Sequence, residues 1–174
     1  AVTAIAAAHH VGVDVATACA ALCEFQGVKR RLELRGTVAG IKVYDDFAHH
    51  PTAIEATLEG LAARMRSEAP DGRLIAVIEP RSNTMKMGVH QHELNLACQA
   101  ADMVIWFKPD GSAINFSSLL AESAVPSYAF ASIDEITAYL EENCRAGDNV
   151  VIMSNGGFGG IHDKLLKVLD HGPL

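Results

Sequence analysis

Gly72-Arg73-Leu74-Ile75-Ala76-Val77-Ile78-Glu79-Pro80 sets five apolar residues in a row between polar and turn-forming neighbours. Five residues suit a strand better than a helix. The run does not alternate apolar with polar, so both of its faces must be covered, as in a parallel sheet flanked by helices. Met103 to Phe107 and Val150 to Met153 repeat the pattern, and Tyr128 to Phe130 is a shorter version. The segments between them read as helices. Pro51 suits a first helical turn, and Ile54, Leu58, Leu61 and Met65 form the stripe behind it. His90 to Ala101 and Ser117 to Glu122 supply two more helices. Ser132 and Glu135 form a capping box ahead of Ile136, Tyr139 and Leu140. Ile161 to Leu169 is the last helix, closed by Gly172-Pro173.

Upstream, Leu32 to Val38 and Ile41 to Tyr44 flank Ala39-Gly40, which predicts a hairpin. The expected fold is α/β: a Rossmann-like, mostly parallel sheet with helices on both faces and an antiparallel opening hairpin. The first 28 residues stand apart. Ala1 to His10 is alanine-rich and helical in propensity, Gly12 interrupts it, and Asp14 can cap a second helix to about Leu22 before Gly27. This stretch predicts a nearly uncharged helical pair whose partner surface lies elsewhere, as in a piece of a longer protein.

Composition narrows the function classes. The chain has 174 residues, 49% apolar and 20% charged, and a chain of this size can bury roughly 70% of its unfolded surface. Fourteen basic against 21 acidic residues give a net charge of −7, which speaks against a nucleic-acid partner. No apolar run reaches the roughly 18 residues that span a bilayer, and Ala1 to Ala8 lacks the basic region of a signal peptide. No membrane partner is expected. Cys19, Cys23, Cys98 and Cys144 form no C-x-x-C pair, so buried, reduced thiols in a cytoplasmic chain are the expectation. Trp106 is expected in the core. His9, His10, His90 and His92 are expected at the surface.

In sheets of this kind, ligands bind beyond the carboxyl ends of the strands. Three polar segments fall there: Asp45-Asp46-Phe47-Ala48-His49-His50-Pro51, Glu79-Pro80-Arg81-Ser82-Asn83-Thr84, and Ser154-Asn155-Gly156-Gly157-Phe158-Gly159-Gly160. The first can accept from sugar hydroxyls, hold a cation or donate to phosphate, but it equally suits a turn cap with solvated imidazoles. In the second, Arg81 can grip a carboxylate through two parallel hydrogen bonds or pair with Glu79 or Asp110. The third brings backbone N–H groups close to a ligand, or is a tight turn. It is neither a Walker A loop nor G-x-G-x-x-G.

Together these stretches resemble a family. Gly27-Val28-Lys29-Arg30-Arg31-Leu32-Glu33 and Val43-Tyr44-Asp45-Asp46-Phe47-Ala48-His49-His50-Pro51-Thr52 resemble the C-terminal domain of the Mur ligases, ATP-dependent amide-forming ligases of bacterial peptidoglycan synthesis. Glu79 to Gly88 and Met153 to His162 resemble the recycling branch, which joins UDP-N-acetylmuramate to the tripeptide L-alanyl-γ-D-glutamyl-meso-diaminopimelate. The branch that adds L-alanine carries Pro-His-Arg-Tyr-Thr-Arg where this chain has Pro80-Arg81-Ser82-Asn83-Thr84-Met85. It is the alternative, beside a non-catalytic α/β module for a small anion.

The resemblance implies residues 1–28 as the helical tail of a central ATPase domain and 29–174 as the C-terminal domain. It implies Arg31 at the nucleotide phosphates and in catalysis, Asp46 near the ribose, and His49 in the nucleotide site. It implies Arg81, Asn83, Ser154 and Asn155 at the incoming peptide. ATP and Mg²⁺ are the implied cofactors, held mainly by the central domain, and the implied partners are the two substrates and the protein's own central and N-terminal domains. No metal ligands are expected in this chain. It contains no P-loop and is expected to be inactive alone. Phe47 stands where tyrosine is common in the family.

Overall fold

The structure, a computed structural model, describes residues 1–25, 27–68, 71–81, 91–108 and 110–171. In chain order the elements are α1 (Val2–His10), α2 (Val15–Glu24), β1 (Glu33–Val38), β2 (Ile41–Asp46), α3 (Pro51–Glu68), β3 (Leu74–Ile78), α4 (Gln91–Ala97), β4 (Met103–Phe107), α5 (Phe116–Ala121), β5 (Ser127–Phe130), α6 (Ile133–Asn143), β6 (Asn149–Met153), a 3₁₀ turn (Phe158–Gly160) and α7 (Ile161–His171). The six strands form one sheet in the order β1-β2-β6-β3-β4-β5. Only β1 runs antiparallel; β2, β6, β3, β4 and β5 are parallel neighbours. The expected α/β architecture is the one observed.

The continuous apolar runs have the origin their pattern implies. Every residue of β3 and β6 is buried, and successive side chains alternate between the faces. Ile75, Val77, Ile105, Val150 and Ile152 meet Ile136, Leu140, Ile161 and Leu165 from α6 and α7. Ala76, Ile78, Val104, Trp106 and Val151 meet Ile54, Leu58 and Leu61 of α3, with Leu94 and Leu119 beside them.

Local signals set the ends of elements. Ala39 and Gly40 both have positive φ, 50° and 77°, the conformation of a type I′ hairpin turn. Ser132 and Glu135 complete their capping box. Asp14 caps α2 by accepting from Thr17 N at 2.9 Å. The helix expected to run to Ala101 stops at Ala97, because the chain tightens into i→i−3 bonds, Cys98 N to Asn95 O and Ala101 N to Cys98 O. The expected stop at Gly172-Pro173 and the position of His90 lie outside the described residues.

Two expectations about side chains divide. Trp106 is in the core, its Nε1 without a hydrogen-bond partner among the described residues. The cysteines are not uniformly buried. Cys98 is buried and Cys144 half-buried, and burial pushes both thiols up to about 12. Cys19 and Cys23 are exposed, because α1 and α2 pack mainly on each other and bury only Ala18. Among the described residues, neither core cluster contains a residue from 1–28.

Leu58 is wholly buried between α3 and the sheet. Leu58→Ala should cost about 2–5 kcal/mol in chemical denaturation, the range for a large-to-small change in a well-packed core. A loss below 1 kcal/mol would contradict this packing.

Candidate functional site

The carboxyl ends of β2, β6 and β3 lie side by side, with the Ser154–Gly160 loop in the middle. Ser154 N donates to Asp46 O at 3.1 Å and Glu79 N donates to Met153 O at 3.0 Å, which carries the ladder past the strand ends. The polar segments singled out in the sequence are therefore neighbours as far as they are described, which for the second is Glu79 to Arg81.

Asp46 is 3% exposed. Its carboxylate accepts from Leu32 N and Ala48 N, each at 2.8 Å, and from Thr57 Oγ1 at 3.3 Å. The side chain is thus spent on holding the turn before β1 and the loop after β2. That turn is strained: Arg30 and Leu32 have φ of 58° and 47°, conformations costing on the order of 1–3 kcal/mol each outside glycine. Glu33 Oε2 accepts from Arg30 N at 2.8 Å, and Phe47 N donates to Arg30 O at 2.9 Å.

Between the two strained residues stands Arg31, exposed. Its guanidinium carbon is 5.7 Å from the Phe47 ring centroid, and that of Arg30 is 5.0 Å away. Each is close enough for a cation–π attraction of roughly 0.5–1 kcal/mol at an exposed site. The Phe47 face does this without the hydroxyl of tyrosine. His49 packs edge-on to Phe47 at 5.2 Å and its Nδ1 lies 2.8 Å from Phe47 O. A protonated Nδ1 leaves Nε2 as the ring's acceptor in the neutral form.

On the other side of the loop, Ser154 is buried, donating to the Glu79 carboxylate and accepting from Gly156 N at 2.9 Å. Asn155 Oδ1 is buried without a hydrogen-bond partner among the described residues. Arg81 is exposed and lies against Gly156, where a Cβ would come within 2.0 Å of its Nη1. Among the described residues it forms no ion pair, with Glu79, with Asp110 or with any other acid. Asn83 lies outside the described residues.

The sequence reading gave no role to Arg30 or His162, and it had Asp45 and Glu79 only as members of the polar segments, without their contacts here. Arg30 Nη2 donates to Ser154 O at 2.6 Å and Gly156 O at 2.7 Å, and its Nε is 3.3 Å from Asp45 Oδ2. His162 opens α7 with its Nε2 3.4 Å from Asp45 Oδ1. With Arg30, Arg35, Gly156 and Asp163 these residues line a cleft of about 270 Å³. The adjacent pair Asp45-Asp46 was the available signal: alternation along β2 sends its two members to opposite faces of the sheet.

The opposite edge of the sheet is closed chemistry. Asp148 is fully buried, pairs with Arg73 at 2.6 and 3.2 Å, and accepts from the Arg73 and Arg145 amides. At the carboxyl edge, by contrast, Arg31 and Arg81 have no acid partner and Asn155 Oδ1 no hydrogen bond among the described residues. Among the described residues, no three of His, Cys, Asp and Glu are grouped to hold a metal ion.

Burial drives the pKa of His162 below its ordinary value, and Asp45 only partly restores it; Arg35 and Arg30 push it down and Asp163 up. The unfolded chain takes up this proton first. The stabilising contribution is therefore present above pH about 6.5 and is lost as the pH falls from there. Melting temperatures from pH 7.5 to 5.5 should fall less steeply for His162→Gln than for the parent chain. Equal slopes would remove His162 from the acid response.

Comparison with known proteins agrees with this arrangement. Residues 30–156 match the family described as Mur ligase, glutamate ligase domain. The UDP-N-acetylmuramate–L-alanyl-γ-D-glutamyl-meso-2,6-diaminoheptandioate ligase of Escherichia coli (strain K12) is 46% identical over 166 residues, which is 95% of this chain and 36% of that protein. The crystal structure of a murein peptide ligase from Psychrobacter arcticus 273-4 aligns with a TM-score of 0.74 at 45% identity, over 98% of this chain and 36% of that one. A domain from Haemophilus ducreyi 35000HP, ascribed to a UDP-N-acetylmuramate:L-alanyl-γ-D-glutamyl-meso-diaminopimelate ligase, aligns at 0.66 and 42% identity, over 80% of this chain and 99% of that one. The chain thus spans just over a third of the length of the long relatives it matches. It belongs to the Mur ligase family, of which it carries the C-terminal, glutamate ligase domain.

Proposed function

We propose that this domain serves an ATP-dependent ligase that joins UDP-N-acetylmuramate to the tripeptide L-alanyl-γ-D-glutamyl-meso-diaminopimelate in the cytoplasm. One observation carries the reading. Two guanidiniums without a carboxylate partner among the described residues stand at the carboxyl edge, Arg31 over Phe47 and Arg81 against Gly156. One suits a polyphosphate and the other a peptide carboxylate. The resemblance to ligases named for these substrates supplies their identity. Residues 1–28 are proposed to belong with a preceding ATPase domain, since they contribute to neither core cluster here.

The chemistry is acyl transfer through a mixed anhydride. The muramyl carboxylate attacks the γ-phosphorus of ATP and ADP leaves. The tripeptide amine then attacks the acyl carbon, loses a proton and expels phosphate. Magnesium, held mainly by the preceding domain, would offset charge on the phosphates. Arg31 would add a cation beside the transferring group, with Phe47 and His49 behind it. Asp46 would position the Arg31 turn from inside rather than touch the ribose, because its carboxylate is occupied. Arg81, Asn83 and the Asn155 side chain would hold the peptide, while Ser154 fixes the loop. Without a P-loop, these 174 residues alone would hydrolyse no ATP.

The reading is tested in the full-length ligase by following amide formation from UDP-N-acetylmuramate, ATP and either tripeptide or L-alanine. Tripeptide should be the preferred acceptor; a preference for L-alanine would move the protein to the alternative branch. Arg31→Ala should cut turnover by roughly 10²-fold or more, since one well-placed charge-stabilising donor is typically worth about 2.7–4 kcal/mol. Unchanged turnover would remove Arg31 from the reaction.

Arg81→Lys should raise the apparent KM for tripeptide while that for ATP stays put. The loss should be about 1.5–3 kcal/mol, the worth of a hydrogen bond to a charged group. Lower stability with an unchanged tripeptide KM would make Arg81 part of the scaffold.

A further inference from the structure

Arg30 touches both halves of the site just described. Its Nη2 is shared by Ser154 O and Gly156 O, at 2.6 and 2.7 Å. Gly156 is the residue against which Arg81 lies. Its Nε faces Asp45 at the end of β2, and its guanidinium shares the Phe47 ring with Arg31. Its backbone precedes Arg31 directly, is held by Glu33 and Phe47, and sits at φ 58°. The charge of Arg30 is matched by Asp45, whose side chain is 5% exposed. Arg31 has no such acid among the described residues.

We infer that Arg30 is a positioning residue that ties the nucleotide-side arginine to the peptide-side loop, so that one guanidinium fixes Arg31 and the seat of Arg81 together. This rests on the function proposed above. A single planar fork reaches two carbonyls on one loop while keeping Asp45 beside its Nε. An ammonium is a point charge and cannot span the same set of acceptors from one fixed geometry. The two half-sites are consequently not independent: displacing Gly156 pulls on the turn that projects Arg31, and relaxing that turn frees the Ser154–Gly156 carbonyls.

Arg30→Lys in the full-length ligase is the test, because it keeps a cation beside Asp45 and strands no buried carboxylate. Hydrogen–deuterium exchange is read on two segments far apart in sequence, 30–33 and 154–157. Exchange should quicken in both, whereas Arg31→Ala should quicken neither. In kinetics, Arg30→Lys should raise the apparent KM for ATP and for tripeptide together, each by roughly tenfold, with the melting temperature within a few degrees of the parent. Quickened exchange at 30–33 alone, a change in only one KM, or lower stability with both KM values unchanged would each overturn the coupling. If Arg30→Lys fails to fold, Arg30→Gln, which leaves a neutral donor for one carbonyl, takes its place with the same readouts. A parent enzyme that does not ligate tripeptide would overturn the proposed function instead, and the exchange comparison would still decide whether Arg30 links the two segments.

Discussion

The carboxyl edge of this sheet depends on one buried carboxylate. Asp46 ends β2 and faces the inside of the loops rather than solvent, where it accepts from Leu32 N, Ala48 N and Thr57 Oγ1. A carboxylate buried this deeply is tolerated only where several donors replace its water. In return, Leu32 is kept in a left-handed conformation that a branched aliphatic residue avoids when free. Leu32 and Arg30 bracket Arg31, so the direction in which Arg31 leaves the fold is fixed by an aspartate it does not touch. The same strand end supplies Asp45 on the opposite face, where it meets Arg30 and His162. Two consecutive aspartates thus perform two separate jobs, because a strand sends neighbouring side chains to opposite sides.

This pairing also marks the limit of what was legible in the sequence. The sheet could be read because apolar runs of five residues and helical stripes each have one physical reading. Leu74–Ile78 and Met103–Phe107 are the strands expected. The location of the site could be read because ligands gather where parallel strands end. What each charged residue does could not be read, since that depends on contacts across long sequence separations. Arg30 finds Ser154 and Gly156 more than 120 positions away, and Ser154 finds Glu79 across 75. No local pattern records such partners. Asp46 stayed open between a ligand group and a turn cap for the same reason: its partners at Leu32 and Thr57 are visible only once the turn is folded. The exposed Cys19 and Cys23 show the converse error, in which an average tendency of cysteine outran the particular helix that carries it.

Charge at the site is sorted by whether it has a partner. Arg73 with Asp148, and Arg30 with Asp45, are closed units in which burial of the acid is compensated by geometry. Removing one member of such a pair strands the other, which makes these residues costly to change and poor at meeting a ligand. Arg31 and Arg81 have no such commitments among the described residues and lie in the open. Their side chains rest on surfaces that ask nothing of the charge, the ring of Phe47 and the bare backbone of Gly156. A glycine at 156 is required in this arrangement, since any β-carbon would occupy the space of the Arg81 guanidinium. A flat, uncharged support keeps a guanidinium in place while leaving its hydrogen-bonding edge unspent.

The openness of Arg31 sets a condition on the proposed chemistry. Two unit charges about 4 Å apart interact by roughly 1 kcal/mol in bulk water and by roughly 4 kcal/mol at an effective dielectric of 20. A transition-state contribution of about 2.7–4 kcal/mol is therefore out of reach for an arginine that remains bathed in solvent. Within the proposed function, Arg31 must be covered before phosphoryl transfer, and the acyl phosphate must be kept from water after it. Both needs are met by one motion, closure of this domain over the one that holds ATP. The fold is suited to such a motion because the turn that carries Arg31 is bonded to the end of β2, and Arg81 follows closely on the rigid end of β3. An element that must deliver a cation to within a hydrogen-bond length of a phosphate gains nothing from moving unless its own geometry is fixed beforehand. The strained, multiply anchored turn at Arg30 to Leu32 supplies that fixity.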